Sequence, residues 1–137
     1  MTDHSLTAEK TRANPLVTAL RIAALLAVLA IVWQGATAGG ILMRTATSLG
    51  LHEAGAIAVH VLTGVTALVA FAVWRTARGS LAPAVVAVVV FVASFVQAAL
   101  GDEETMWAHV PGALLLMLGS TAVLVWTWLP TRGHHAR

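Results

Sequence analysis

The chain has 137 residues, 58% of them hydrophobic and 10% charged, with a mean hydropathy of +0.84. Soluble domains carry about a quarter of their residues as charges, so this composition excludes a soluble domain and points to a membrane protein. The absence of cysteine excludes disulfides, iron–sulfur clusters, thiolate zinc sites and c-type haem attachment, and the basic pI near 10.5 comes from short loops and tails, a membrane-topology pattern and not a nucleic-acid-binding face.

Residues 1–14 are polar and mixed in charge and read as a tail. Pro15 suits the first turn of a helix, and an apolar span is expected over 16–43. Ala36-Thr37-Ala38 resembles a signal-peptidase site, but the apolar run continues to Met43 and is long enough to cross a bilayer, so a retained span is expected. Gly35 and Gly39 make a GxxxG pair, suited to close packing of a neighbouring helix. A short polar loop covers 44–50. The second span, 51–74, carries His52 and Glu53 at its entrance and His60 well inside. Arg75 to Ser80 is a basic turn. The third span, 81–100, is rich in valine, which lipid accepts in a helix because the backbone must satisfy its own hydrogen bonds. Gly101 to Thr105 is an acidic loop, 106–129 is the fourth span, and 130–137 is a basic tail.

Four spans with short connections predict an all-α, integral membrane four-helix bundle of up-down-up-down topology, forming a single domain over 1–137. Lys10, Arg12, Arg21, Arg75, Arg78, Arg132 and Arg137 fall on one side and Arg44 alone on the other. The positive-inside bias then places both termini in the cytoplasm, in a multi-pass arrangement in the plasma membrane, with His52, Glu53, His60 and His109 in the outer half.

An ionisable group inside a membrane span is costly and marks function by default. Neutral imidazole is a good ligand for iron, copper or zinc, so His60 and His109 are the first candidates for a metal-bound cofactor. Gly64 lies one turn below His60 and Gly112 one turn below His109, small groups that would let a flat macrocycle approach the backbone. The plainer reading gives His60 a hydrogen bond to Ser94 or Gln97 of the third span and makes His109 an interfacial residue near Trp107. His52, at the lip of its span, is the alternative axial ligand. Depth does not choose between His52 and His60 as the partner of His109, since a small tilt matches either. Glu53 shares a helix face with His60 and is a candidate for orienting a ligand or handling a proton. Arg44 is placed to neutralise a haem propionate or, equally, a lipid phosphate. Asp102, Glu103 and Glu104 read as a solvated loop, and His4, His134 and His135 belong to the tails without an assigned role. Met43 and Met106 would be soft ligands if the metal were copper, but they form no spaced motif.

Gly39-Gly40-Ile41-Leu42-Met43-Arg44-Thr45, with Ser48-Leu49-Gly50-Leu51, resembles the exit of the first helix in the haem A synthase family. Gln97-Ala98-Ala99-Leu100-Gly101 followed by Trp107-Ala108-His109 resembles the end of its third helix and the ligand-bearing start of its fourth. The resemblance covers about residues 34–125, one four-helix half of a family whose full-length members have two. It implies bis-histidine haem ligation by His60 and His109 near the outer face, a haem of b or o type, and possible oxidation of a haem methyl with Glu53 or Arg44 assisting. The chain departs from the family in its very short first loop, in Ile57 where the family has an acidic residue, and in lacking loop cysteines.

Two function classes follow. One is a haem-binding membrane protein, either a b-type cytochrome or a compact haem A synthase-like oxidoreductase, forming homo-oligomers. The other is a non-enzymatic accessory or assembly subunit of a respiratory complex, using the GxxxG face for partner helices. A small transporter ranks last, because the spans carry no deep acid and show no clear internal repeat. Membrane lipid is an expected partner in every case; nucleic acid in none.

Overall fold

In the computed structural model, which describes residues 14–77 and 80–129, the chain forms α1 (Pro15–Leu42), α2 (Ser48–Ala77), α3 (Ala82–Ala99) and α4 (Met106–Trp126). Each is long and apolar enough to cross a membrane; α3, the shortest, has 18 residues and so extends roughly 27 Å, close to the hydrocarbon thickness. The expected tails apart from Asn14, including Lys10, Arg12, Arg132, Arg137, His4, His134 and His135, lie outside the described residues, as does Arg78.

The helix ends follow local chemistry. Asn14 caps α1, its side-chain oxygen accepting from the Leu16 amide at 3.0 Å. At the other end of α1 the amide of Thr45 donates to Gly40 and that of Arg44 to Ile41. This is the paired closure of a Schellman motif, in which the residue after the cap turns left-handed. That residue is Arg44, at φ 55°, the one non-glycine with positive φ among the described residues. The tight exit lets α2 begin at Ser48, so the loop expected over 44–50 is shorter. Ser48 is buried, and a Cβ on Gly40 would collide with its hydroxyl; glycine is required there for the two chain segments to meet. The sequence places Pro111 in the first turn of the last helix. Because α4 starts at Met106, it falls in the second turn, where it has no amide hydrogen to offer the Trp107 carbonyl.

Arg21 explains its own presence within an apolar helix. Its Nε and Nη2 donate to the Thr127 carbonyl at 3.2 and 2.8 Å, and its guanidinium lies 3.9 Å from the centre of the Trp128 ring. The cation therefore closes the carbonyl end of α4, where the helix dipole favours positive charge. The last helix ends at Trp126, before the expected Leu129, and 127–129 form the turn that Arg21 holds.

Consecutive helices are neighbours, and α4 closes the ring against α1. In this up-down-up-down order α2 and α4 run parallel on one diagonal, α1 and α3 on the other. The core is rich in small side chains. One cluster joins Leu20, Ala24, Ala67, Ala70, Ala84, Ala87 and Val123; a second, nearer the His52 end, joins Ile31, Val59, Val90 and Leu116. Small residues let helix backbones approach where no hydrophobic force separates protein from solvent. Most of the large apolar groups point outward: Leu68 is 73% exposed and Leu115 69%. An outer surface of this kind belongs in lipid.

Candidate histidine site

Two imidazoles meet across the α2–α4 diagonal at one end of the bundle. The ring centres of His52 and His109 are 6.3 Å apart, with their planes at 48°. Each ring is half-buried and held through Nδ1 by the helix that precedes its own. Nδ1 of His109 lies 2.9 Å from the backbone carbonyl oxygen of Gln97. A carbonyl only accepts, so in a neutral ring the proton sits on Nδ1 and Nε2 keeps its lone pair. The Gln97 side-chain amide donates in return to the His109 carbonyl, making a two-point clasp between α3 and α4. Nδ1 of His52 lies 2.9 Å from the Thr37 hydroxyl. That hydroxyl donates to the carbonyls of Trp33 and Gln34 at 3.1 Å, which leaves it to accept from His52. His52 therefore takes the same tautomer, with Nε2 again free as a ligand.

His60 lies elsewhere, between α2 and α3. Its Nδ1 is 2.8 Å from the Ser94 hydroxyl, which donates to the Phe91 carbonyl at 2.7 Å. Its ring stacks on Phe95, with centres 4.2 Å apart and planes at 6°. The hydrogen bond to Ser94 is one of the two partners expected for a structural histidine. Gln97, the other, has gone to His109. The space beside Gly64 is filled by Phe91, and that beside Gly112 by the Gln97 amide, which a Cβ would displace. Gly55, one turn below His52, is filled in the same way by the amide of Gln34, whose Oε1 is buried without a partner. Glu53 and Arg44 are exposed at this end of the bundle, as are Asp102, Glu103 and Glu104. Gly35 and Gly39 face outward, and a Cβ on either would meet nothing within 4 Å.

The site has a doubled construction that hydropathy and motif spacing do not reveal. His52, Gly55, Val59, Thr63 and Thr66 on α2 are matched at identical intervals by His109, Gly112, Leu116, Ser120 and Val123 on α4. Ala24, Ala27, Gln34 and Thr37 on α1 are matched in the same way by Ala84, Ala87, Ser94 and Gln97 on α3. The residues that hold the two imidazoles, Thr37 and Gln97, are themselves equivalent in this register. The helices share positions more than residue types, so no repeat stands out in the sequence; its visible traces are His-x-x-Gly at 52–55 and 109–112 and Ala-x-x-Ala at 24–27 and 84–87.

Two imidazoles bound on opposite sides of one metal ion, each by a bond of about 2 Å, have ring centres about 6 Å apart, the separation found between His52 and His109. A histidine ligand ordinarily donates its other ring N–H to a carbonyl or hydroxyl, which sets tautomer and orientation. The Gln97 carbonyl and the Thr37 hydroxyl are placed to accept in this way. No protein family, curated protein or solved structure matches this chain.

Proposed function

We propose that the chain is a haem-binding membrane protein of b-type cytochrome character, with His52 and His109 as its axial pair. The observation that carries the proposal is the approach of two imidazoles to 6.3 Å between ring centres, from equivalent places in two helical hairpins, each fixed at Nδ1 with its Nε2 lone pair left over. Two imidazoles are fewer protein ligands than a zinc ion ordinarily takes, yet they are the whole protein share of a six-coordinate haem iron. The bound haem would supply one-electron redox chemistry. Thr37 and Gln97 orient the rings and fix their tautomer. Arg44, the exposed cation nearest this end in sequence, is suited to a propionate. Glu53 is exposed and suits proton exchange with solvent better than a buried catalytic step, so electron transfer is a better reading than oxidation of the haem itself. By the positive-inside bias both termini are cytoplasmic and the histidine pair faces outward. The open Gly35–Gly39 face suits a second copy or a helix of a respiratory complex.

The test is spectroscopic. Full-length protein expressed with ample haem should be red, with a Soret band and the spectrum of a low-spin bis-histidine iron. His52→Ala and His109→Ala should each abolish that low-spin signature, and His60→Ala should retain it. A colourless wild-type protein defeats the haem reading; loss of the signature in His60→Ala with retention in His52→Ala defeats the choice of ligands.

A further inference from the structure

Deep in the bundle, the four helices surround a cavity of about 10 Å³ to which each contributes two buried residues. Most of its wall is alanine and valine. Three hydroxyls interrupt it: Thr63 and Thr66 of α2, and Ser120 of α4. Hydroxyls within membrane helices commonly turn back to the carbonyl one turn earlier. Thr63 and Thr66 do so, donating to Val59 and Leu62 at 2.7 and 2.8 Å. Ser120 does not. Its residue is 4% exposed, and its Oγ is buried with no partner among the described residues.

We propose that this cavity is a hydration site holding one water molecule. The volume is at the lower bound for a single water, roughly 10–15 Å³. The polar inventory also closes. The two threonine oxygens have given away their protons and retain lone pairs, so they accept. Ser120 retains both its proton and its lone pairs, so it donates. A water that accepts from Ser120 and donates to Thr63 and Thr66 makes about three hydrogen bonds, the usual number for a buried water. A bare cation would find too few oxygens, and an apolar guest would leave Ser120 unsatisfied. The water ties α2 to α4, the two helices that carry the imidazole pair, about three turns below that pair.

A crystal structure of the full chain in lipid, at a resolution that shows ordered water, tests this. The expected result is one peak of density within hydrogen-bonding distance of Ser120 Oγ and at least one threonine Oγ1. The same structure of Ser120→Ala should lack the peak while keeping the helix packing. An empty cavity with Ser120 Oγ turned to the Leu116 carbonyl overturns the proposal. So does a peak that survives in Ser120→Ala. Neither outcome depends on whether haem is bound.

Discussion

Arg44 occupies the left-handed position that closes α1, at φ 55°, where glycine is the usual residue. A side chain in this region costs about 1–2 kcal/mol from the clash of Cβ with the following carbonyl. Arg44→Gly removes that clash but adds about 0.5–1 kcal/mol of backbone entropy to the unfolded chain. The expected net effect is a stabilisation of roughly 0.5–1 kcal/mol. Arg44→Ala keeps the Cβ and therefore the strain, and should change stability little. Both variants lose the guanidinium and should weaken haem retention alike. Reversible unfolding in mixed micelles measures the first quantity, and haem titration followed at the Soret band the second. If Arg44→Gly is no more stable than Arg44→Ala, the strain argument fails. If either variant binds haem as tightly as wild type, Arg44 has no part in the site.

Three further outcomes are expected. Gly112→Ala should displace the Gln97 amide and break its bond to the His109 carbonyl; the lost bond costs about 1 kcal/mol, partly offset by alanine's better helix propensity, and haem affinity should fall with it in the same titration. Ser94→Ala removes the hydroxyl that accepts from His60 and should cost about 1–2 kcal/mol in micelle unfolding, with an unchanged low-spin spectrum. Arg21→Lys should recover less of the stability lost in Arg21→Ala than a shared charge would suggest, because the fork that reaches Thr127 and the plane over Trp128 are both lost; thermal unfolding of Arg21→Lys at the wild-type temperature would contradict this.

The architecture is legible in the sequence because lipid imposes it. An apolar run of sufficient length has no option but a helix, and short connections force antiparallel neighbours. Only the ends differ, where local hydrogen bonds at Thr45 and Arg21 decide matters that hydropathy does not register. The site is legible in part. His52, His60 and His109 stand out as ionisable groups in spans, but depth does not choose between His52 and His60 as the partner of His109. What distinguishes the three in the structure is which partner each ring meets, and that depends on helix rotation, which a nearly uniform apolar composition conceals. Thr37 carries no sequence signal beyond its place in a cleavage-site pattern; nothing local marks a buried hydroxyl that will face a ring on the next helix. Gln97 is conspicuous as a polar group in a span, but the sequence offers it, beside Ser94, as a partner for His60, whereas the structure gives it to His109.

The matched intervals along the two hairpins carry a consequence for assembly. Each hairpin brings one ring and the group that steadies it, and neither brings a complete grip. Severing the chain between Ala77 and Ala82 would leave two pieces of like build, each useless alone. Joined as separate polypeptides in one membrane, they should regain colour together. A pair made from two copies of either piece would reveal how nearly interchangeable the halves still are.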